Sequence, residues 1–133
     1  MSDVFLDTVG LIAVWDNTDQ WHEAANAAYR RLLAQARRLV TTNHVLCECG
    51  NAAARRPYRT NVNELRKLLI QEQILVEPTP EQWEEAWAAY DRGELGEAGI
   101  VDHVSFLVMR RLGMTEAFTN DRHFQAAGFT TLF

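Results

Sequence analysis

Val4-Phe5-Leu6-Asp7-Thr8 is the stretch that decides how the rest of the chain is interpreted. Three apolar residues run directly into an acid. An uninterrupted apolar run that ends at a polar residue is typical of a strand buried on both faces of a parallel sheet. Asp7 then lies at the carboxyl end of the strand, the edge at which open α/β sheets carry active sites. Thr8 is in position to cap the following helix, although Asp7 alone is also compatible with an ordinary strand end.

The size and composition of the chain limit its class. It has 133 residues, 47% of them hydrophobic, so we expect residues 1–133 to form a single domain with a substantial core. The first residues do not resemble a signal peptide and no stretch approaches a membrane span, so we expect a cytoplasmic protein. Cys47 and Cys49 lie two positions apart in a predicted helix, and we expect them to be small buried residues in a reducing compartment.

The charge balance argues against a protein that coats nucleic acid nonspecifically. The formal net charge is −5 and the pI is about 5.3. An RNA enzyme remains possible, because an acidic metal site would itself contribute negative charge. Lys67 is the single lysine, so phosphate contacts would come from clustered arginines, unless these clusters are simply solvated helix faces. The clustered arginines are Arg30, Arg31, Arg37, Arg38, Arg55, Arg56, Arg59, Arg110 and Arg111.

Hydrophobic periodicity predicts helices and strands that alternate along the chain. After a short helix that follows the first strand, helices are predicted at 20–38, 44–56, 62–72, 80–92, 100–112 and 122–126, and strands at 39–42, 74–76, 114–119 and 129–133. Asn43 is a candidate cap, Thr79 and Gln82 form a capping box, and Trp83, Trp87 and Tyr90 form an aromatic stripe expected to pack in the core. This order predicts a three-layer α/β/α sandwich around a mostly parallel five-stranded sheet.

Four acids fall at strand ends or in early helix turns on what should be one rim of this sheet: Asp7, Glu48, Asp102 and Asp121. Taken singly, an acid in a first helix turn also suits the helix dipole, and Asp121 also suits a helix cap. Gathered together they would repel one another by about 4 kcal/mol per pair at 4 Å. Divalent cations would relieve that repulsion, and oxygen ligands favour Mg²⁺ or Mn²⁺. Such a site suits hydrolysis of phosphodiester bonds.

Four motifs in the same order along the whole chain resemble the PIN-domain ribonucleases, and specifically the VapC-type toxins of toxin-antitoxin pairs. The first motif is the opening strand with Asp7. The others are Leu46-Cys47-Glu48 followed by Asn51, Val101-Asp102-His103-Val104-Ser105-Phe106, and Thr119-Asn120-Asp121-Arg122-His123-Phe124. Each motif is weak alone, whereas the last two together are quite specific.

This resemblance implies an α/β/α fold and Mg²⁺- or Mn²⁺-dependent cleavage of RNA. Asp7, Glu48, Asp102 and Asp121 would hold the metal or orient its waters. Thr8, Asn51 and Asn120 would support them. The resemblance also implies a cognate antitoxin that inhibits the enzyme, and frequent homodimers. One departure concerns the serine or threonine that the family often carries shortly before the third acid, where this chain has Gly99 and Ile100.

Three alternatives stay open at this point. A receiver-like signalling module also gathers acids and Mg²⁺ at a sheet edge, but it usually has a lysine at the end of its last strand, and residues 130–133 contain none. A catalytically silent PIN module would act as a binding scaffold, which the presence of all four acids argues against. A housekeeping RNA-processing nuclease is the nearest rival to a toxin.

Overall fold

A computed structural model describes residues 3–133 of the chain. The strands are β1 (Val4–Leu6), β2 (Leu39–Thr42), β3 (Leu75–Val76), β4 (Glu116–Phe118) and β5 (Thr130–Thr131). The helices are α1 (Thr8–Trp15), α2 (His22–Ala34), α3 (Asn43–Ala53), α4 (Arg59–Gln71), α5 (Pro80–Asp91), α6 (Ile100–Arg111) and α7 (Arg122–Ala126).

The five strands form one parallel sheet in the order β3-β2-β1-β4-β5. β1 is central and fully buried, as its unbroken apolar sequence requires. The helices cover the sheet in the α/β/α arrangement, in which α1 contacts α2 and α3, α3 contacts α4, and α5 packs along α6. The five parallel strands with helices packed on them confirm the predicted sandwich. The strand order differs from the 2-1-3-4-5 order of receiver-like folds and therefore argues against the receiver-like alternative.

The core lies between the sheet and the helices and is rich in phenylalanine. Phe5, Phe106 and Phe124 are almost wholly buried, and their rings lie 4.9 to 6.5 Å apart. Gly10 lets α1 approach the end of β4, because a Cβ at that position would lie 2.1 Å from the carbonyl oxygen of Phe118. No helix within residues 3–133 is long and apolar enough to cross a membrane.

Most element boundaries moved by a few residues from the sequence prediction, and α2 shows why. Its predicted end was residue 38, but it ends at Ala34. Ala36 takes a left-handed conformation with φ of 52°, and the backbone N–H of Arg37 donates to the carbonyl of Leu32. This pattern closes a helix in the manner of a Schellman motif, although alanine stands where glycine is usual.

Two predicted helix caps are wrong. Thr8 is the first helical residue of α1 rather than its cap, and Asp7 occupies the cap position without making a side-chain capping bond. At α3 the cap is Thr42, whose hydroxyl accepts from the N–H of Val45, because the helix begins at Asn43 itself. The capping box of Thr79 and Gln82 is confirmed.

Two predictions of burial are also wrong in part. Trp87 and Tyr90 are 41% and 48% exposed, so the aromatic stripe of α5 is not core packing along its whole length. Cys49 is buried as expected, but Cys47 is exposed, because residues two apart on a helix point in nearly opposite directions.

Candidate functional site

The sheet topology brings the four predicted acids to one rim. β1 and β4 are neighbours, with Leu6 paired to Phe118, so the residues that follow these strands emerge side by side. Asp7 follows β1 and Asp121 lies three residues beyond the end of β4. Asp102 lies in the first turn of α6, and Glu48 lies in the second turn of α3. The negative charges of Asp102 and Asp121 raise the pKa of Asp7, and those of Asp121 and Glu48 raise the pKa of Asp102.

Asp7 is a buried carboxyl at the centre of this rim, with 2% of its surface exposed. Burial raises its pKa to about 7, and the nearby Asp102 and Asp121 add to the rise. The Thr119 hydroxyl opposes it by donating a 2.8 Å hydrogen bond to Oδ2 of Asp7. Because the ionised form of such a carboxyl is disfavoured, a nearby positive charge would stabilise it.

Asp102 has the second perturbed carboxyl of the rim. Burial raises its pKa to about 6, with further contributions from Asp121 and Glu48, while the Gly99 backbone lowers it. The Gly99 N–H donates to Oδ2 of Asp102 at 3.2 Å. This bond holds the carboxyl at the start of α6, so a backbone group makes a contact at the position where the sequence lacks the family's serine or threonine.

Glu48 is exposed, and a neighbouring helix fixes its carboxylate. The Thr8 hydroxyl donates a 2.6 Å hydrogen bond to Oε1 of Glu48, joining the start of α1 to α3. Thr8 therefore contacts a predicted site residue, but as a donor and not as a helix cap. Asn51 is exposed one turn further along α3, and no hydrogen bond joins it to the four acids in the part of the chain described.

Thr119 and His123 belong to the rim but were not singled out in the sequence. Besides binding Asp7, the Thr119 hydroxyl accepts from the backbone N–H of Asp121 at 3.1 Å. Asn120 was the predicted support for Asp121, but within residues 3–133 its side chain makes no hydrogen bond to that acid. The available signal for Thr119 and His123 was their place in the Thr119-Asn120-Asp121-Arg122-His123-Phe124 motif, where each lies two residues from Asp121.

His123 lies against the last acid of the rim. Its Nδ1 is 3.0 Å from Oδ1 of Asp121, and its backbone N–H donates to the same oxygen at 2.9 Å. One ligand atom each from Asp102, Asp121 and His123 fall within 4.8 Å of one another. This is a spacing at which three side chains can share one cation.

The donor set fits a hard divalent cation. Carboxylates make up most of it, and the two thiols of the chain do not compete, since burial raises the pKa of Cys49 to about 12 and Cys47 is exposed elsewhere on α3. Burial is the main cause of the raised pKa values of Asp7 and Asp102, and the neighbouring carboxylates add to the rise, so a bound cation would relieve both effects. Oxygen ligands with one imidazole at the margin suit Mg²⁺ or Mn²⁺ better than a thiolate-seeking metal.

Comparison with known proteins shows which family and which proteins this chain resembles. A family model described as PIN domain matches residues 4–130. The 23S rRNA-specific endonuclease VapC20 of Mycobacterium tuberculosis is 33% identical over 128 residues, which is 95% of each chain. The crystal structure of the same bacterium's VapC20, described as a sarcin-ricin loop cleaving toxin, superimposes with a TM-score of 0.78 at 30% identity and covers 96% of this chain and 97% of that one.

Two more distant structures share the fold. PAE2754 from Pyrobaculum aerophilum has a TM-score of 0.61 at 19% identity, covering 98% of this chain and 91% of its own. FitAcB from Neisseria gonorrhoeae has a TM-score of 0.62 at 16% identity, covering 98% and 96%. At these identities the likeness concerns the fold alone.

Proposed function

The chain belongs to the PIN-domain family, and from that premise we propose that it is a metal-dependent endoribonuclease that serves as the toxin of a toxin-antitoxin pair. The observation that carries the proposal is the convergence of Asp7, Glu48, Asp102 and Asp121 on one rim, with two carboxyls whose pKa values are raised. A relative that is 33% identical over nearly the full length and cleaves RNA supports the choice of substrate class.

The four acids would hold Mg²⁺ or Mn²⁺ in this proposal. Such an ion, when bound, lowers the pKa of a coordinated water and stabilises the charge that develops on the phosphate. The chain's own part is to fix the ligands in advance. Thr119 orients Asp7, Thr8 orients Glu48, and the Gly99 N–H orients Asp102, so little side-chain freedom remains to be lost on binding.

The rim also limits where the substrate can react. Asp7 lies at the bottom of the site because it is buried, whereas Glu48 is exposed at its edge. An RNA backbone therefore reaches the site from the exposed side, where Glu48 lies, and its phosphate contacts the acids from that side. Asn51 on the exposed face of α3 and Asn120 beside Asp121 are in position to contact that RNA, in keeping with their supporting role in the proposal.

The remaining elements of the proposal concern partners. A cognate antitoxin would bind the chain and block the rim, the active form would be a homodimer, and residues 1–133 would act as one nuclease domain in the cytoplasm. Similarity to a protein described as a toxin supports the first of these. A housekeeping RNA-processing nuclease or a silent binding module remain the competing functions, and each differs from the toxin in a measurable property.

The test combines cleavage with growth. Purified protein incubated with structured and single-stranded RNA should produce discrete fragments with Mg²⁺ or Mn²⁺ and none with EDTA. Expression in a bacterium should arrest growth, and co-expression of the small gene adjacent to it should restore growth. Metal-dependent cleavage without growth arrest would favour a housekeeping nuclease. No cleavage of any RNA at any metal concentration would leave only the silent module.

A further inference from the structure

Two side-chain contacts join the parts of the chain that contain α1 and α3, one between the helices themselves and one just beyond the ends of both. Beside the acids, Thr8 donates to Glu48 at 2.6 Å. Eight residues further along each segment, Arg56 Nη2 donates to Asp16 Oδ2 at 2.8 Å. A helix rises 1.5 Å per residue, so the second contact lies about 12 Å from the first. The two helices thus lead from the acidic rim to a second, distant group of polar side chains.

A cleft of about 480 Å³ opens at this second contact. One wall is aromatic, because the rings of Trp15 and Tyr58 stack with centroids 6.4 Å apart and planes inclined by 30°. Asn17 and Asn61 line the same cleft. The cleft has the volume of a small-molecule site and combines an apolar surface with a few polar groups, as such sites do.

Arg56 is the cationic group of the cleft, and its neighbours hold it in place. The hydrogen bonds that its guanidinium donates to Asp16 and Tyr58 raise the pKa of Arg56. Asp16 is in turn fully engaged, because its other oxygen accepts from the N–H and the hydroxyl of Thr18, and these bonds hold its pKa at about 2. Arg56 keeps half of its side chain exposed, so N–H groups remain to bind an anion.

We propose that this cleft binds one nucleotide of the RNA substrate, away from the bond that is cut. Trp15 provides the stacking surface for the base, Asn17 and Asn61 bind its polar edge, and Arg56 binds the phosphate. A stacked strand rises about 3.4 Å per nucleotide, so the bound nucleotide lies about three or four positions from the scissile phosphate. The inference rests on the proposed nuclease function and adds a specificity site to it.

The charges favour this cleft over the exposed aromatic surface of α5. Trp87 and Tyr90 on α5 are exposed, but Glu84 and Asp91 lie beside them at helical spacing and would repel phosphate. Arg55 and Arg59, by contrast, flank Arg56 in the chain and are exposed. Nucleobases are therefore expected at Trp15 and not at Trp87.

Tryptophan fluorescence separates these two surfaces. A twelve-nucleotide single-stranded RNA is titrated into the protein in EDTA, so that no cleavage occurs. We expect quenching that is reduced in Trp15→Phe and retained in Trp87→Phe. Trp15→Leu should weaken binding about 10-fold or more, because base stacking on an aromatic ring is lost. Quenching lost only in Trp87→Phe would overturn the proposal.

The phosphate contact is tested by salt dependence. Arg56→Ala should lower the slope of log affinity against log salt by about one, whereas Arg66→Ala, which removes an exposed arginine from α4, should leave it unchanged. A merely structural role of Arg56 would change affinity without changing this slope. Equal slopes for Arg56→Ala and wild type would overturn the assignment of Arg56.

Cleavage by the wild type distinguishes failure of this inference from failure of the nuclease proposal. If wild-type protein cuts the twelve-nucleotide RNA with Mn²⁺ and the Trp15 and Arg56 variants bind and cut it equally well, the cleft is not a substrate site although the nuclease stands. If those variants bind RNA normally but no longer bind the antitoxin, the cleft belongs to that partner. If the wild type cuts no RNA, both proposals fall.

Discussion

The Thr119 hydroxyl donates a 2.8 Å hydrogen bond to the buried Asp7 carboxyl across 112 positions of sequence. The same hydroxyl accepts from the backbone N–H of Asp121. One side chain thereby ties the end of β1 to the segment after β4, and it is also the main group that lowers the pKa of Asp7 against the effect of burial.

Replacing Thr119 by valine should move the pH dependence of the reaction. The substitution keeps the shape but removes the hydrogen bond, so the pKa of Asp7 should rise above about 7. A hydrogen bond to a charged group is worth about 1.5 kcal/mol or more, which corresponds to about one pKa unit. We expect the midpoint of the pH–rate profile for RNA cleavage at fixed Mn²⁺ to lie about one pH unit higher than in the wild type. Thr119→Ser, which restores the hydroxyl, should follow the wild-type profile.

Asp102→Asn should abolish cleavage and leave the fold intact. The amide keeps the size of the side chain but loses the charge that attracts a divalent cation, and we expect the rate to fall by about 100-fold or more. Fragment yield on a gel and the circular dichroism spectrum measure the two properties. Glu84→Gln, an exposed acid on α5, is the matched control and should retain full activity. Equal rates for Asp102→Asn and wild type would contradict the site.

The stability of the metal-free protein should fall as pH rises towards 7. Folded Asp7 keeps its proton up to about pH 7, whereas in the unfolded chain it ionises near 3.8, so unfolding releases a proton in this interval. The contribution of Asp7 is full below pH 3.8 and is lost as pH rises through 7, and between pH 5 and pH 7 the loss is roughly 2 kcal/mol. Thermal melting in EDTA should show a decrease of roughly 10 °C.

Asp7→Asn provides the control for that pH dependence. The variant has no proton to lose, so its melting temperature should change less between pH 5 and pH 8, and at pH 8 it should melt above the wild type. If metal-free Asp7→Asn instead melts several degrees below the wild type at pH 8, the bond from Thr119 outweighs the cost of burying the charge.

Metal binding should release protons in a pH-dependent manner. At pH 6 Asp7 is largely protonated and Asp102 is near its midpoint, so a cation that binds their carboxylates displaces protons. At pH 8 both are ionised and little release remains. Calorimetric titration of Mn²⁺ in two buffers of different ionisation enthalpy measures the number of protons. Release that is equal at pH 6 and pH 8 would show that the cation does not bind these two acids.

Gly10→Ala should destabilise the protein strongly, because its Cβ would collide with the backbone carbonyl of Phe118 at 2.1 Å. Neither partner is a flexible side chain, so we expect a loss of about 3 kcal/mol or more in the free energy of unfolding. Gly50→Ala in α3 is the matched control. Nothing lies within 4 Å of its Cβ, and alanine favours a helix, so the variant should gain about 0.5 to 1 kcal/mol. Urea unfolding measures both.

The sequence predicted the parts of the fold that depend on local chemistry. The apolar run of β1, the β-branched strand β2 and the capping box of α5 each contain their own signal, and all three form as expected. The capping residues Thr8 and Asn43 were assigned wrongly because the polar residues at these helix starts compete for the cap position. Which residue is used depends on where the preceding strand ends, and strand pairing decides that.

The candidate site likewise contains some residues that the local sequence identifies and others whose roles depend on distant contacts. Asp7, Glu48, Asp102 and Asp121 could be found because each stands at a strand end or in an early helix turn. Thr119 could not be assigned its role, since that role comes from a residue 112 positions away. The burial of Trp87 was misjudged for a related reason. Helical spacing reveals that aromatic residues share a face, but not whether another element covers that face.

The position of β4 between β1 and β5 has a consequence for the newly made chain. During synthesis Asp7 leaves the ribosome more than a hundred residues before Thr119. Until β4 has been translated and added to the sheet, the first acid has neither its hydroxyl donor nor Asp121 beside it. We therefore expect chains that stop before β4 to be inactive, because their acidic site is incomplete.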